Sequence, residues 1–195
     1  MTAIPTPSQT VGPFYHYALE RPDWADLTAA GASGEKIRVE GRILDGDGAP
    51  VFDAFLEIWQ ANAAGRYAHP EDRQDKPLDA KFRGFGRVGS DAEGRFRFTT
   101  IRPGRVPGRG NALQAPHINI AIFGRGLLKQ LTTRLYFADQ AEANESDPVL
   151  GAIEDPAIRK TLLAVPVAVP AGGAIPTYRF DIILQGDGET AFFEI

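Results

Sequence analysis

Residues 115–125 read APHINIAIFGR, and the alternation within this stretch predicts a β-strand over His117–Phe123. In a strand, successive side chains point to opposite faces, so the three isoleucines share one face and belong to the core. The other face carries His117 and Asn119, which lie about 7 Å apart along the strand. Three interpretations are open at this point: a metal site, the remains of one, or a polar strand face satisfied by hydrogen bonds.

Short alternating segments separated by turn residues continue this pattern on both sides of the strand. Such segments are typical of a β-sandwich rather than of alternating helices and strands. They are IRVEGRIL (37–44), AFLEIWQ (54–60), RFRFTTI (95–101), KQLTTRLYF (129–137), YRFDIILQ (178–185) and TAFFEI (190–195).

The connections between these strands can also be read from the turn residues. The DGDG sequence at residues 45–48 predicts that the strands at 37–44 and 54–60 form a hairpin-like unit. Residues 61–89 are rich in glycine and charge, so we expect them to be irregular. Helical character is convincing only in residues 147–163, where two Asp-Pro pairs are typical helix starts.

These elements predict a mainly β protein, a sandwich of mixed β-sheets with one or two short helices. The first 36 residues contain four prolines and no sustained periodicity, which indicates an extended N-terminal arm and loop. Residues 37–195 are expected to form a single sandwich domain, since 195 residues suffice for one core.

The composition excludes several classes of function. A net charge of −4 without a basic block argues against nucleic-acid binding. The chain has no cysteine, so disulfides, thiolate metal sites and a cysteine nucleophile are ruled out. We expect a soluble cytoplasmic protein, since neither a signal peptide nor a long apolar run is visible. A serine hydrolase is disfavoured because no GxSxG motif is present.

Several long motifs occur in a consistent order from the arm to the last residue. Together they resemble the intradiol ring-cleavage dioxygenases, and among these the heteromeric enzymes that cleave protocatechuate. The motifs are TPSQTVGPFYHY (6–17), FLEIWQANAAGRYAHP (55–70), FGRVGSDAEGRFRFTTIRPGRVP (85–107), APHINIAIFGRG (115–126), LTTRLYFAD (131–139) and YRFDIILQGDGETAFFEI (178–195).

The resemblance implies a fold, a reaction and a partner. The fold is the mixed β-sandwich of intradiol dioxygenases, related to transthyretin-like sandwiches. The reaction is cleavage of protocatechuate by O2 at non-haem Fe(III) to 3-carboxy-cis,cis-muconate, in the beta-ketoadipate pathway of aromatic catabolism. The partner is an iron-bearing beta chain, which forms an alpha-beta heterodimer within a larger oligomer.

In that iron-bearing chain two tyrosines and two histidines hold the metal, and only half of them have a counterpart here. Tyr67 and His117 match one tyrosine and one histidine. Val106 and Asn119 stand at the other two positions. Valine cannot ligate and an amide is a poor replacement for imidazole, so the sequence predicts a vestigial site that binds no iron.

The resemblance also implies that this chain lines its partner's substrate pocket. Thr10, Gly12, Pro13 and Arg125 match positions that border the substrate, and Arg125 would face its carboxylate. No catalytic residue is then expected in this chain alone. Two alternatives remain at this stage: a self-sufficient dioxygenase for catechol or hydroxyquinol, and a transthyretin-like binding module without catalysis.

Overall fold

The computed structural model describes residues 5–110, 112–168 and 175–194, and within these residues strands dominate. Eleven strands and four short α-helices are present, together with a 3₁₀ turn at Pro22–Ala25. The strands are β1 (Lys36–Leu44), β2 (Phe55–Trp59), β3 (Phe85–Gly89), β4 (Arg95–Ile101), β5 (Val106–Pro107), β6 (Leu113–Gln114), β7 (His117–Phe123), β8 (Leu131–Phe137), β9 (Leu163–Val167), β10 (Thr177–Arg179) and β11 (Ile182–Ile183). The helices are α1 (Phe14–Leu19), α2 (Ala141–Glu145), α3 (Pro148–Gly151) and α4 (Pro156–Lys160).

Nine of these strands form one mixed sheet, and β5 pairs with β6 in a separate small ribbon. One half of the sheet centres on β1, which runs antiparallel to β4 and parallel to β10 and β11. The other half runs antiparallel through β8, β7, β2 and β3. Strand β9 joins the halves, since it is antiparallel to β10 and parallel to β8.

The two halves of the sheet pack against each other around one hydrophobic core. The core draws fully buried residues from both halves, for example Val39 and Phe98 on one side and Ile58 and Ile120 on the other. The chain therefore has the mainly β, mixed-sheet sandwich predicted from its sequence. It also carries more short helices than the one or two expected, because α1 and α2 are present beside the two Asp-Pro helices.

The open edge between β3 and β4 is covered by residues that follow the 3₁₀ turn. Asp26 forms a parallel bridge with Thr99 of β4, and the Leu27 N–H donates to the Thr99 carbonyl at 2.9 Å. On the other side Trp24 packs edge-to-face against Phe85 of β3, with ring centroids 5.9 Å apart. The segment thus blocks a pair of edges that could otherwise add strands from another molecule.

A polar network ties the two halves together at one end of the sandwich. Arg102, just after β4, donates to Glu35 at 2.7 Å and to both carboxylate oxygens of Asp139 at 3.3 Å. Its guanidinium also contacts the Tyr178 hydroxyl, which donates to Asp139 at 2.7 Å. The network therefore connects the segment before β1 with the ends of β4 and β8 and with β10.

Three sequence predictions about individual strands are wrong. Strands β1 and β2 do not form a hairpin, since β1 pairs with β4 and β2 pairs with β3 and β7. The supposedly irregular residues 61–89 include β3. The described part of TAFFEI, residues 190–194, is not a strand, although the Phe193 N–H donates to the Thr132 carbonyl at 2.7 Å.

The N-terminal arm is extended only in part. Residues 5–10 are exposed and have no regular structure, and they lead into the short helix α1, which the sequence did not predict. Tyr15 anchors α1 to the sheet, because its ring packs on Phe55 and Phe123 with centroids 5.7 and 5.4 Å away. Among the described helices of the chain, none has both the length and the apolar character needed to cross a membrane.

Candidate functional site

The loop after β2 carries Tyr67 toward β7. Asn62 shapes this loop, since its side-chain oxygen accepts from the backbone N–H groups of Ala64 and Arg66 at 3.0 and 2.9 Å. Gly65 has a φ of 79°, and a β-carbon there would lie 2.0 Å from a backbone oxygen, so only glycine fits. Tyr67 itself is held by its N–H, which donates to Asp72 at 2.7 Å.

The segment before β7 is fixed by a buried carboxylate. Asp147 is 1% exposed and caps helix α3 by accepting from the N–H groups of Val149 and Leu150 at 2.8 and 2.9 Å. Its second oxygen accepts from the Ala115 N–H at 2.6 Å. Asp147 and Asp155 thus begin helices α3 and α4 as the sequence predicts, and Asp147 also sets the position from which His117 projects.

Hydrogen bonds link Tyr67, His117 and Asn119. The fourth predicted position, Val106, is buried. The Asn119 amide donates to the Tyr67 hydroxyl at 3.4 Å, and that hydroxyl lies 3.4 Å from Nε2 of His117. Nδ1 of His117 lies 2.8 Å from the Ala115 carbonyl, which assigns the proton to Nδ1 and leaves Nε2 to accept from Tyr67. The Tyr67 hydroxyl, both ring nitrogens of His117 and the amide nitrogen of Asn119 therefore each have a hydrogen-bond partner.

This hydrogen-bonded chain requires every member to be uncharged, and burial favours that state. Burial raises the pKa of the Tyr67 hydroxyl, so the phenol keeps its proton. Burial, followed by the positive charge of Arg134, lowers the pKa of His117 to about 4, so its imidazole is neutral near pH 7. Two groups that could act as metal ligands are instead satisfied by each other.

The residues present do not fit Fe(III). A ligating tyrosine must lose its proton, and the environment of Tyr67 works against that loss. Val106 is 3% exposed and offers no donor atom, while the Asn119 amide also donates to the Trp59 carbonyl at 3.3 Å. Within the described residues, no three His, Cys, Asp or Glu side chains cluster closely enough to hold an ion.

Arg134 is a part of this site that sequence reasoning missed. It lies on β8 directly opposite Asn119, and its guanidinium donates to Gln114 at 2.6 Å and to the Tyr136 hydroxyl at 3.3 Å. Its charge acts on both Tyr67 and His117. The cross-strand register between β7 and β8 is the only signal that places it here, and periodicity within one strand does not reveal register.

A cavity of about 770 Å³ opens beside the hydrogen-bonded group of Tyr67, His117 and Asn119. Its wall includes the rings of Trp59 and Tyr67, which are stacked with centroids 5.6 Å apart and planes 15° apart. Val106 and Pro107 add apolar surface, and the carboxylates and guanidinium of the loop 71–73 line the rim. The structure therefore has a cavity at this position although the predicted set of metal ligands is incomplete.

A second group of predicted residues comes together at the far end of β7. The Thr10 hydroxyl accepts from the Gly126 N–H at 2.7 Å, which joins the arm to the turn that follows the strand. Arg125 forms an ion pair with Asp53, and its guanidinium lies 5.6 Å from the centre of the exposed Phe52 ring. Asp53 and Phe52 carried no signal in the sequence that would have linked them to Arg125.

Gly12 and Pro13 lie in the same exposed part of the arm, immediately before α1. A β-carbon built on Gly12 would meet no atom within 4 Å, so this stretch of backbone faces open space. The structure therefore brings Thr10 to the turn that carries Arg125, and it places Gly12 and Pro13 on the adjoining arm.

The two groups lie at opposite ends of one strand. His117 begins β7 and Arg125 follows its end, so six residues of strand separate His117 from the turn, roughly 20 Å at the usual rise. The side chain of Arg125 and the cavity beside Tyr67 therefore cannot serve one small ligand together. Any small ligand that Arg125 contacts must be held by groups other than Tyr67, His117 and Asn119.

Comparisons with known proteins identify the family of this chain. The Dioxygenase_C family model, described as dioxygenase, matches residues 11–186. The protocatechuate 3,4-dioxygenase alpha chain of Pseudomonas putida is 42% identical over 200 residues, covering 97% of this chain and 96% of that protein. The protocatechuate 3,4-dioxygenase beta chain of Burkholderia cepacia is 41% identical over 160 residues, covering 80% of this chain and 67% of that protein.

A solved structure shares the fold over almost the whole chain. The dioxygenase domain of a dioxygenase carbohydrate-binding protein fusion from Streptomyces sp. SirexAA-E superimposes with a TM-score of 0.60 at 27% identity, covering 96% of this chain and 100% of that domain. These matches favour a dioxygenase subunit over a binding module unrelated to catalysis. This chain belongs to the intradiol ring-cleavage dioxygenase family, and within it the chain is similar to the alpha chains of protocatechuate 3,4-dioxygenase.

Proposed function

We propose that this chain is a non-iron alpha subunit that completes the substrate pocket of an iron-bearing beta subunit. The pair cleaves protocatechuate with O2 to 3-carboxy-cis,cis-muconate, and Fe(III) is held by the beta subunit alone. One observation carries the proposal: the chain's own ligand set is incomplete, while an exposed arm and Arg125 lie about 20 Å away, where they can border another chain's site.

The incomplete ligand set supports placing the iron elsewhere. Tyr67 and His117 are the two remaining strong donors, and they are hydrogen-bonded to each other and uncharged. Occupying them with a metal would break that bond and require a buried phenolate, without the anionic second tyrosine that Val106 replaces. The alternative of a self-sufficient catechol-type enzyme needs this site to work, and its chemistry opposes that.

The exposed surface at the other end of β7 supports a role in binding the substrate. Arg125 offers a guanidinium that can clamp a carboxylate with two parallel hydrogen bonds. Asp53 pairs with this guanidinium on one side, and the Arg125 side chain remains 48% exposed. Thr10, Gly12 and Pro13 add a hydroxyl and a flat backbone edge, which suit an aromatic ring lying against them.

In this proposal the pocket rejects plain catechol because catechol has no ring carboxylate for Arg125 to bind. A ring carboxylate would add a second anion to the guanidinium that Asp53 already pairs, so Arg125 would favour a substrate that carries one. We assign residues 1–36 to the arm that reaches the partner and 37–195 to a single sandwich domain. We place the complex in the cytoplasm, in keeping with a chain free of cysteine.

Co-expression tests the division of labour between the two subunits. The chain is purified with and without an iron-bearing beta subunit, and iron content and protocatechuate cleavage are measured in each sample. We expect iron and activity only when the beta subunit is present. Stoichiometric iron in the isolated chain, with a visible tyrosinate charge-transfer band, would contradict the proposal.

Substitution of Arg125 tests the substrate contact in the assembled enzyme. Arg125→Ala should raise the KM for protocatechuate far more than it lowers kcat, because a binding contact is lost while the iron site is untouched. The matched control is Arg109→Ala, which removes an exposed arginine from another loop. Unchanged constants in Arg125→Ala, or equal changes in both variants, would remove Arg125 from the pocket.

A further inference from the structure

Three neighbouring residues on the outer face of the sheet carry the N-terminal arm. Phe55 of β2 is paired directly with Gly89 of β3 on one side and with Phe123 of β7 on the other, so the three lie side by side. Their chain neighbours Leu56 and Ile122 belong to the core, so strand alternation places these three on the opposite face. We call Gly89, Phe55 and Phe123 the outer row.

Phe55 is fully buried although it lies on this outer face. It is 1% exposed, and the rings of Tyr15 and His16 cover it, with centroids 5.7 and 6.3 Å from its own. Tyr15 also packs on Phe123, at 5.4 Å. The His16 ring covers the other end of the outer row, at Gly89. Two consecutive side chains of the arm therefore bury this phenylalanine.

The His16 ring sits where the sheet has no side chain. A β-carbon built on Gly89 would lie 2.3 Å from Nε2 of His16 and 3.1 Å from its Cδ2, which is closer than packed atoms approach. The φ of Gly89 is not positive, so its backbone conformation would suit other residues, and the close approach of His16 is what requires glycine. Nε2 also lies 3.3 Å from a carboxylate oxygen of Glu20, four residues later.

Helix α1 has little else to hold it on the sheet. None of the six residues that the structure describes for this helix is buried, and two of its aromatic side chains are more than three-quarters exposed. So short a helix is not stable by itself, so its place depends on Tyr15 and His16. The Tyr15 N–H donates to the Gly12 carbonyl at 3.2 Å, which joins Gly12 and Pro13 to the helix.

We propose that His16 is a positioning residue: its ring, seated on Gly89, fixes α1 and with it the backbone of Gly12 and Pro13. The inference rests on the proposed function, in which this part of the arm borders the substrate. Without the seat the arm adopts other positions, and only the fraction of molecules with a correctly placed arm binds the substrate well. The apparent affinity falls with that fraction, whereas the iron-bearing site itself is unchanged.

His16→Ala and Gly89→Ala remove the seat from opposite sides. Alanine favours a helix, so His16→Ala keeps α1 and loses the ring and its contact with Glu20. Gly89→Ala leaves the arm sequence intact, but its methyl group takes the place of the His16 ring, which must move away. In the assembled enzyme we expect either change to raise the KM for protocatechuate about fivefold and to keep kcat within about twofold.

The double variant H16A/G89A separates a shared seat from two unrelated effects. Once the ring is gone, the closest group to the new methyl is the Glu20 carboxylate at 3.2 Å, which ends a half-exposed side chain and can move. The double variant should therefore match His16→Ala, whereas independent effects would multiply to about 25-fold in KM. In the control Gly151→Ala the methyl group would meet no described atom outside its own helix within 4 Å, so both constants should stay unchanged.

Hydrogen exchange in the same assembled samples, measured by mass spectrometry, reports on the arm directly. We expect residues 10–20 to exchange faster in both single variants and in the double variant, and as in the wild type in Gly151→Ala. Unchanged exchange in the two single variants, or independent effects in the double variant, would overturn the inference. Faster exchange with an unchanged KM would confirm the seat but remove the arm from the substrate pocket, and that result would count against the proposed function.

Discussion

The neutral state of His117 makes the stability of this protein depend on pH in a way that can be isolated. His117 is 3% exposed, its Nδ1 donates to the Ala115 carbonyl, and its Nε2 accepts from Tyr67. A second proton on the ring would be buried, would face Arg134 and would abolish the bond from Tyr67. For these reasons its pKa falls from 6.5 to about 4 on folding.

The sign and size of the effect follow from proton linkage. Between pH 6.5 and 4 the unfolded chain holds a proton on this histidine that the folded chain lacks, so stability falls as the pH falls. The contribution is fully present above pH 6.5 and fully lost below pH 4. A span of about 2.5 pH units corresponds to about 3 kcal/mol, at roughly 1.4 kcal/mol per unit.

His117→Gln removes this titration and keeps a polar side chain of similar length. Urea denaturation of both proteins at pH 7, 6, 5 and 4 gives the free energy of unfolding, and ionisations common to both cancel in the difference. We expect the stability advantage of the wild type to shrink by about 3 kcal/mol between pH 7 and pH 4. The control His69→Gln, at an exposed histidine, should show no such change.

A difference between wild type and His117→Gln that stays constant over this pH range would refute the reasoning. It would mean that His117 has the same pKa in both states, and hence that the ring is neither desolvated nor held neutral by its neighbours. NMR titration of the imidazole provides an independent reading, since its signals should not shift between pH 7 and pH 5.

Three further changes test other parts of the structure. Asp147→Ala uncaps α3 and leaves a buried N–H unpaired, so urea denaturation should show a free energy of unfolding lower by about 2–4 kcal/mol. The less connected cap variant Asp155→Ala should lose about 1 kcal/mol. Equal losses in the two variants would contradict this. Arg102→Lys cannot reproduce the forked contacts of a side chain that is 17% exposed, so it should lower the free energy of unfolding by about 1–3 kcal/mol in the same assay. No loss would show that this network does not contribute to stability. In the assembled enzyme, Asp53→Asn should raise the KM for protocatechuate about three- to tenfold through a less ordered Arg125 and spare kcat; a KM within twofold would dismiss Asp53 as a positioning residue.

Strand periodicity located most of the strands but not their partners. The alternation over His117–Phe123 matches β7 residue for residue, with all three isoleucines fully buried. The hairpin expected between β1 and β2 was wrong because pairing depends on contacts far along the chain, which no local pattern encodes. Strand β3 escaped notice because it contains two glycines, and Gly86 is there to let Leu27 and Trp24 approach.

The site was predictable to the extent that it depends on residue identity. The lack of any donor atom at Val106 and of an imidazole at Asn119 follows from the sequence, and the structure shows Asn119 beside Tyr67 and His117. The hydrogen-bonded chain and the charge of Arg134 depend on side-chain directions and cross-strand register, so they could be seen only in three dimensions. The same holds for the ion pair between Asp53 and Arg125.

The pairing of β1 with β10 and β11 has a consequence for how the protein is made. Arg38 lies beside Thr177, about 140 residues later in the chain, so β1 leaves the ribosome long before its parallel neighbours exist. Closing so large a loop is slow, and the unpaired edge and the apolar face of β1 stay uncovered meanwhile. The nascent chain therefore completes its core only after β10 and β11 have been made, and until then it is a natural client for chaperones that shield apolar strands.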